Sequence, residues 1–212
     1  MTTTAVKERP ILFSPEMVRA ILDGRKTMTR RIVKLPDWAT CCDGRGRDVV
    51  PHWPDNGAHP LFGECYLRFS YCKLCGSMGS RVHCPFEVGG LLWVREAWGY
   101  KTFTDARNKQ VIYRADTVGT RQESTLRWRP SIHMPRWASR ITLEVTGVRV
   151  QRVQGNDEWD VRSEGLRRSE DGPNLRASFR RLWNDINAKR GYGWDANPWV
   201  WVVEFKRIGD KP

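Results

Sequence analysis

From Leu35 to about Glu87 the chain sustains neither a helical nor a strand period, and this stretch limits the possible folds more than any other. Pro36, Pro51, Pro54, Pro60 and Pro85 interrupt it, glycines are frequent, and all 6 cysteines of the sequence lie within it. A structureless loop of such length is improbable inside a compact domain unless something ties it down. Cys72-Lys-Leu-Cys75 has the spacing of a metal knuckle, with Cys65 before it and Cys84 after it. Zinc takes four thiolate or imidazole ligands in tetrahedral geometry, so Cys65, Cys72, Cys75 and Cys84 are the first choice for a zinc site. Four protein ligands leave no open coordination position, which makes the expected role structural. His83 is an alternative ligand, Cys41 and Cys42 offer two more, and the plain alternative is unligated buried thiols. A redox Cys-x-x-Cys fits less well because no βαβ pattern surrounds it.

The compartment bears on that reading. No apolar run approaches the roughly 18 residues of a membrane span. The first ten residues, ending in Glu8-Arg9-Pro10, contain no apolar signal region. The expectation is a cytoplasmic protein with reduced thiols and no membrane partner.

Elsewhere regular structure is legible. Pro10 to Phe13 is a short strand candidate, and Ser14-Pro15-Glu16 reads as a helix start with Ser as N-cap. Met17, Val18, Ile21 and Leu22 form one apolar stripe, which Gly24 is placed to stop. In Leu91 to Trp98 the alternation puts Leu92, Val94, Glu96 and Trp98 on one strand face. Val111 to Ala115 is another short strand, and Ser139 to Val153 a long bent strand or a hairpin around Gly147. A short helix begins at Asn156-Asp157-Glu158 and ends at Gly165. Leu175, Phe179, Leu182, Trp183 and Ile186 share a helical face, and Trp199, Trp201, Val203 and Phe205 one side of a closing strand. Several strands, three helices and no βαβ alternation predict an α+β fold or a small β-barrel carrying helices.

Charge narrows the partners. Lys and Arg number 36 against 24 acids, a net +12 with pI near 9.8. Such an excess attracts polyanions, of which nucleic acid is the usual intracellular one. The basic segment Arg127 to Arg140 holds Arg129, Arg136, Trp128 and Trp137, and its prolines predict a loop. Arginine can pair with phosphate and tryptophan can stack a base, but the expectation for Trp137, as for Met134, is packing into the core. His133 reads as a structural histidine, and Arg95 and Glu96 either line a pocket or pair across the sheet. A second cationic cluster, Gly24-Arg-Lys-Thr-Met-Thr-Arg-Arg31, puts four cations and two hydroxyls in eight residues.

A helix ending in Gly-Arg-Lys-Thr-x-Thr-x-Arg resembles the signature of the ASCH domain, a family of PUA-like β-barrels. The strand Leu92-Trp-Val-Arg-Glu96, the helix end Ser163-Glu-Gly165, the segment Pro130 to Arg140 and the closing Val202-Val-Glu-Phe205 are similar to pieces of its longer, phage- and prophage-type members. The resemblance covers roughly 10–34 and 89–208. It implies a single PUA-like domain over 1–212, with 35–88 as a Cys-rich insert. It also implies one of two activities. Small members include an amidohydrolase that removes the acetyl group from the exocyclic amine of acetylcytidine, and its Lys, Thr and Glu carry over to Lys26, Thr29 and Glu164. Other members are linked to RNA binding and single-strand ribonuclease activity.

Amide hydrolysis needs a nucleophile, a proton acceptor and a group that steadies the oxyanion. Thr29 can attack, with Lys26 as base if burial and neighbouring cations suppress its charge. Alternatively Glu164 is the base and Lys26 holds the oxyanion. Arg25, Arg30, Arg31, Arg95, Arg129, Arg136 and Trp137 are then candidates for substrate or nucleic-acid binding. No catalytic cofactor is expected. The expected substrate is an acylated cytosine nucleoside or nucleotide, and the alternative partner is RNA or another single-stranded nucleic acid.

Overall fold

The computed structural model describes residues 8–36, 49–52, 66–69, 81–102, 109–120, 126–167 and 174–210. In chain order the elements are β1 (Glu8–Leu12), α1 (Pro15–Leu22), β2 (Met28–Ile32), β3 (Val49–His52), β4 (Tyr66–Phe69), β5 (Arg81–His83), β6 (Leu91–Arg95), β7 (Trp98–Thr102), β8 (Lys109–Tyr113), α2 (Arg114–Thr117), β9 (Ile141–Arg152), α3 (Glu158–Ser163), α4 (Leu175–Asn187) and β10 (Trp199–Asp210). The fold is α+β. Its main sheet has the order β1-β6-β9-β10-β2 and is mixed: β1 runs parallel to β6, while β6–β9 and β10–β2 are antiparallel. Among the described residues this order closes no barrel, β1 and β2 being its two ends. No helix among them is long and apolar enough to cross a membrane.

The chain divides into two compact units, each made of non-contiguous segments. The first comprises Met1–Thr27, Gly89–Glu144 and Phe205–Pro212; the second comprises Met28–Val88 and Val145–Glu204.

In the first unit, α1 begins as its sequence dictates. The Ser14 side chain accepts the Met17 N–H, and Pro15 occupies the first turn, where its missing donor costs nothing. The helix ends at Gly24, whose φ of +72° few other residues adopt. Beyond it the N–H groups of Arg25 and Lys26 both donate to the Ala20 carbonyl, at 2.8 and 2.9 Å. The alternation of Leu92, Val94, Glu96 and Trp98 holds, since all four are buried, but the strand does not run through. It breaks after Arg95 because the Glu96 N–H donates to the Met134 sulfur instead of a strand partner. Trp98 then exchanges backbone hydrogen bonds with Arg129, and β7 pairs with β8 in a separate two-stranded sheet. The expected strand to Ala115 stops at Tyr113, where α2 begins. Trp98, Met134 and Ala138 form a small core here, with Tyr100, Val111 and Tyr113 against it.

The second unit carries the larger core: Met28, Val153, Val161, Leu175, Phe179, Trp183, Trp194, Val200 and Val202. Helix α4 turns Leu175, Phe179 and Trp183 inward, and the next position of that i+4 stripe is Asn187. Ile186 is therefore 48% exposed, contrary to the face read from periodicity. The stretch read as a loop-rich insert holds β3, β4 and β5, an antiparallel three-stranded sheet. Strands of four, four and three residues are too short to register as a period. Pro51 is tolerated in β3 because that strand lies at the sheet's edge.

Candidate functional site

Strand β2 distributes the cationic motif between two faces. Its antiparallel register with β10 pairs Met28 with Glu204, Thr29 with Val203, Arg30 with Val202 and Arg31 with Trp201. Directly paired residues share a face and neighbours alternate. Met28 and Arg30 therefore face the apolar core of the second unit along with Val202, whereas Thr29 and Arg31 face the other way with Val203 and Trp201.

On the core face the motif meets a chain of alternating charges. The Arg30 Nη2 donates to Asp160 Oδ2 at 2.6 Å, and its Nη1 to Glu164 Oε1 at 3.2 Å. Asp160 Oδ1 accepts from Arg149 Nη2 at 2.6 Å, and Arg149 reaches on to Glu204. Both guanidinium groups also approach the Met28 sulfur, at 3.8 and 3.7 Å. Arg30, Asp160 and Glu164 are 6%, 5% and 7% exposed, so this end of the network is buried and its charges must be satisfied within the protein, whereas Arg149 and Glu204 are half-buried. Local sequence supplies part of the geometry. Asp157 caps α3 by accepting the Asp160 N–H at 2.7 Å, and Asp160 and Glu164 stand four residues apart on one helix face. Gly147 supplies another part: a Cβ there would lie 2.9 Å from the Glu204 carboxylate.

The three residues of the implied catalytic set are all buried. Lys26 is 2% exposed with its ammonium 5.6 Å from the Phe13 ring centroid; Thr29 is 4% exposed and Glu164 7%. Burial holds Arg31 below the ordinary arginine value, and the Glu164 charge works against that shift. The carboxylate thus bonds Arg30 on one face of β2 and acts electrostatically on Arg31 of the other. The remaining cations separate by environment. Arg25 donates to the exposed Asp23 at 2.8 and 3.1 Å. Arg30 has both terminal nitrogens given to carboxylates and is part of the interior.

The first unit holds the other candidates. Trp137 is 59% exposed, while Met134 is fully buried. Trp137 meets Trp98 edge-on at 5.9 Å, and the Arg129 guanidinium lies over both Trp98 and Tyr100, at 5.2 and 5.1 Å. Arg95 stacks on Trp93 at 5.0 Å and donates to the Met134 carbonyl; Arg136 stacks on the same ring at 5.9 Å and binds Glu8. His133 is exposed.

Sequence reasoning left Glu96 undecided, and the structure gives it to Arg140. That guanidinium binds Glu96 through 2.9 and 3.2 Å contacts and Asp116 through two of 2.8 Å, and it stacks 3.9 Å from the Tyr113 ring centroid. Burial pushes the Glu96 carboxyl above the usual range, the Arg140 hydrogen bond opposing. A raised folded-state value means the native protein holds this proton more tightly than the unfolded chain does. Glu96 therefore contributes stability that declines as pH rises from about 4.5 through the raised value. In urea unfolding across that window, wild type should lose stability relative to Glu96→Gln as pH increases; parallel profiles would exclude the effect.

Asp160, Arg149 and Glu204 were not singled out from sequence. Asp160 had a signal, its position one helical turn before Glu164, and Glu204 lay in the closing Val-Glu-Phe segment with no role assigned to it; Arg149 had none, since only long-range strand pairing brings it in. Of the zinc candidates, Cys65, Cys72 and Cys75 lie outside the described residues, as do Cys41 and Cys42. Cys84 is partly buried and its sulfur accepts the Phe86 N–H at 3.4 Å. Among the described residues no group of three or more His, Cys, Asp or Glu side chains is placed to hold a metal. Comparison with protein-family models, with curated proteins and with solved structures finds no match.

Proposed function

We propose that this chain is an ASCH-type, PUA-like protein that removes an acyl group from the exocyclic amine of cytosine nucleosides or nucleotides. The observation that carries the reading is that each of Lys26, Thr29 and Glu164 is buried, at 2%, 4% and 7% exposure. Lysine and glutamate are almost never fully buried without a partner or a task, and these two belong to the very set that the motif resemblance implies. In the reaction the Thr29 hydroxyl attacks the acyl carbon, its proton passing to the base. The amide C–N bond breaks, the exocyclic nitrogen leaves with a proton, and water releases the acyl group as a carboxylic acid. Lys26 and Glu164 divide the roles of base and oxyanion support. The test is a spectroscopic assay on acetylcytidine, acetyldeoxycytidine and acetylcytosine. Turnover of one or more is expected, and none on any of the three would remove the activity.

A second reading, single-stranded nucleic-acid binding, is favoured by one surface of the first unit. There the exposed Trp137 stands beside the Arg129, Trp98 and Tyr100 stack. Stacking on such rings is worth about 1–3 kcal/mol per base, and phosphate contacts make affinity fall steeply with salt. A gel shift insensitive to salt, or unchanged by Trp137→Ala and Arg129→Ala, would reject this surface.

For the insert we propose a structural zinc held by Cys65, Cys72, Cys75 and Cys84. The N–H donor on the Cys84 sulfur suits a thiolate. Purification without chelators should yield close to one metal per chain, and a content below about 0.3 equivalents would count against the site.

A further inference from the structure

We propose that Asp160 is a positioning residue which, through Arg30, fixes the place of the Glu164 carboxylate; in its kinetic arm this rests on the deacylation reading above. Glu164 is the C-cap of α3, and Gly165 follows it with φ +91°, so the helix ends where the functional carboxylate begins. Its orientation is set from across the core by Arg30, and Arg30 is in turn anchored on Asp160. Asp160 is itself held three ways: its N–H donates to Asp157 at 2.7 Å, Oδ1 accepts from Arg149 and Oδ2 from Arg30, each at 2.6 Å. Asp160 thus accepts from two guanidinium groups at once. Arg30 Nε is buried with no hydrogen-bond partner among the described residues, so the group is positioned for its two terminal contacts at the expense of the third nitrogen.

The asymmetry of an amide makes the idea testable. Asparagine keeps the size of Asp160 but has one acceptor oxygen, so its NH₂ must face one of the two arginines. Either Arg30 is released toward Glu164, or Arg149 is displaced and the anchor loosens. Misplacing a reacting group by about 1 Å can cost on the order of 10²-fold in rate. Asp160→Asn is therefore expected to lower kcat about 10- to 100-fold while KM changes less than about threefold. Glu158→Gln, on the same helix but exposed and paired with Arg162, is the control and should leave both unchanged. If Asp160→Asn does not fold, Asp160→Glu retains the charge one methylene away and should show the same lowered kcat with KM held. An unaltered kcat in the variant that folds overturns the proposal. A second measurement needs no activity: Asp160 and Glu164 share Arg30, so the Tm shifts of Asp160→Asn and Glu164→Gln should combine non-additively. Additive shifts overturn the positioning role. Absence of turnover in wild type overturns only the deacylase reading and leaves the double-mutant cycle to decide this one.

Discussion

Thr29→Ala is expected to lower deacylation by at least about 10³-fold, with a melting temperature near that of the parent. The substitution removes one hydroxyl and one methyl from a residue that is 4% exposed, and leaves its strand pairing with Val203 in place. A structural role alone would therefore show as a loss of stability of about 1 kcal/mol, far less than the kinetic effect. Lys26→Ala and Glu164→Ala should abolish turnover to a similar degree, because members of one catalytic set fail together rather than in proportion. Near-wild-type turnover in any one of them excludes that residue. Lys26→Arg and Glu164→Gln then divide the remaining roles. Arginine keeps a positive charge for an oxyanion but cannot act as a base, so activity retained in Lys26→Arg assigns the base to Glu164.

Arg30→Met should be the most destabilising single change in the second unit, at about 3–5 kcal/mol in denaturant unfolding. The methionine occupies similar space beside Phe179, whose ring centroid lies 5.5 Å from the Arg30 guanidinium carbon, so the loss is not one of packing. What remains is a buried Asp160 that keeps only its Arg149 ion pair among the described residues and a Glu164 that has lost its Arg30 contact. Leaving buried carboxylates short of a partner is what makes breaking a buried pair costly, even where the intact pair contributes little net stability. Adding Glu164→Gln to Arg30→Met should recover part of the loss. A cost below about 1 kcal/mol would mean that Arg30 is solvated and the network does not exist in solution.

How far the sequence foretold this arrangement differs element by element. Helix α1 was legible because its signals are local: a serine cap, a proline in the first turn, and a glycine where the chain must turn left-handed. Thr29 and Arg30 were legible as residues but not as neighbours on opposite faces, since that follows from the register of β2 on β10. The break after Arg95 depends on Met134, nearly forty positions later, and no local pattern announces it. Ile186 was misread because the apolar stripe of α4 continues into a polar residue, Asn187, whose side chain bonds back to the Trp183 carbonyl. The arginines of the motif looked alike in sequence. Arg25 is tied to an exposed neighbour, Arg30 is interior, and Arg31 is shifted by burial, distinctions that only packing makes.

Arg30 precedes Asp160 by 130 residues and Glu164 by 134. At about 5–20 residues per second, a ribosome needs roughly 7–26 s to deliver the carboxylates after the guanidinium has emerged. Throughout that interval the carboxylate partners of Arg30 are missing, and although β3, β4 and β5 can pair with one another, the larger core of the second unit cannot close on β2. Folding of this chain is thus timed by its last third, and a pause in translation before residue 160 would prolong the exposure of a strand destined for the interior.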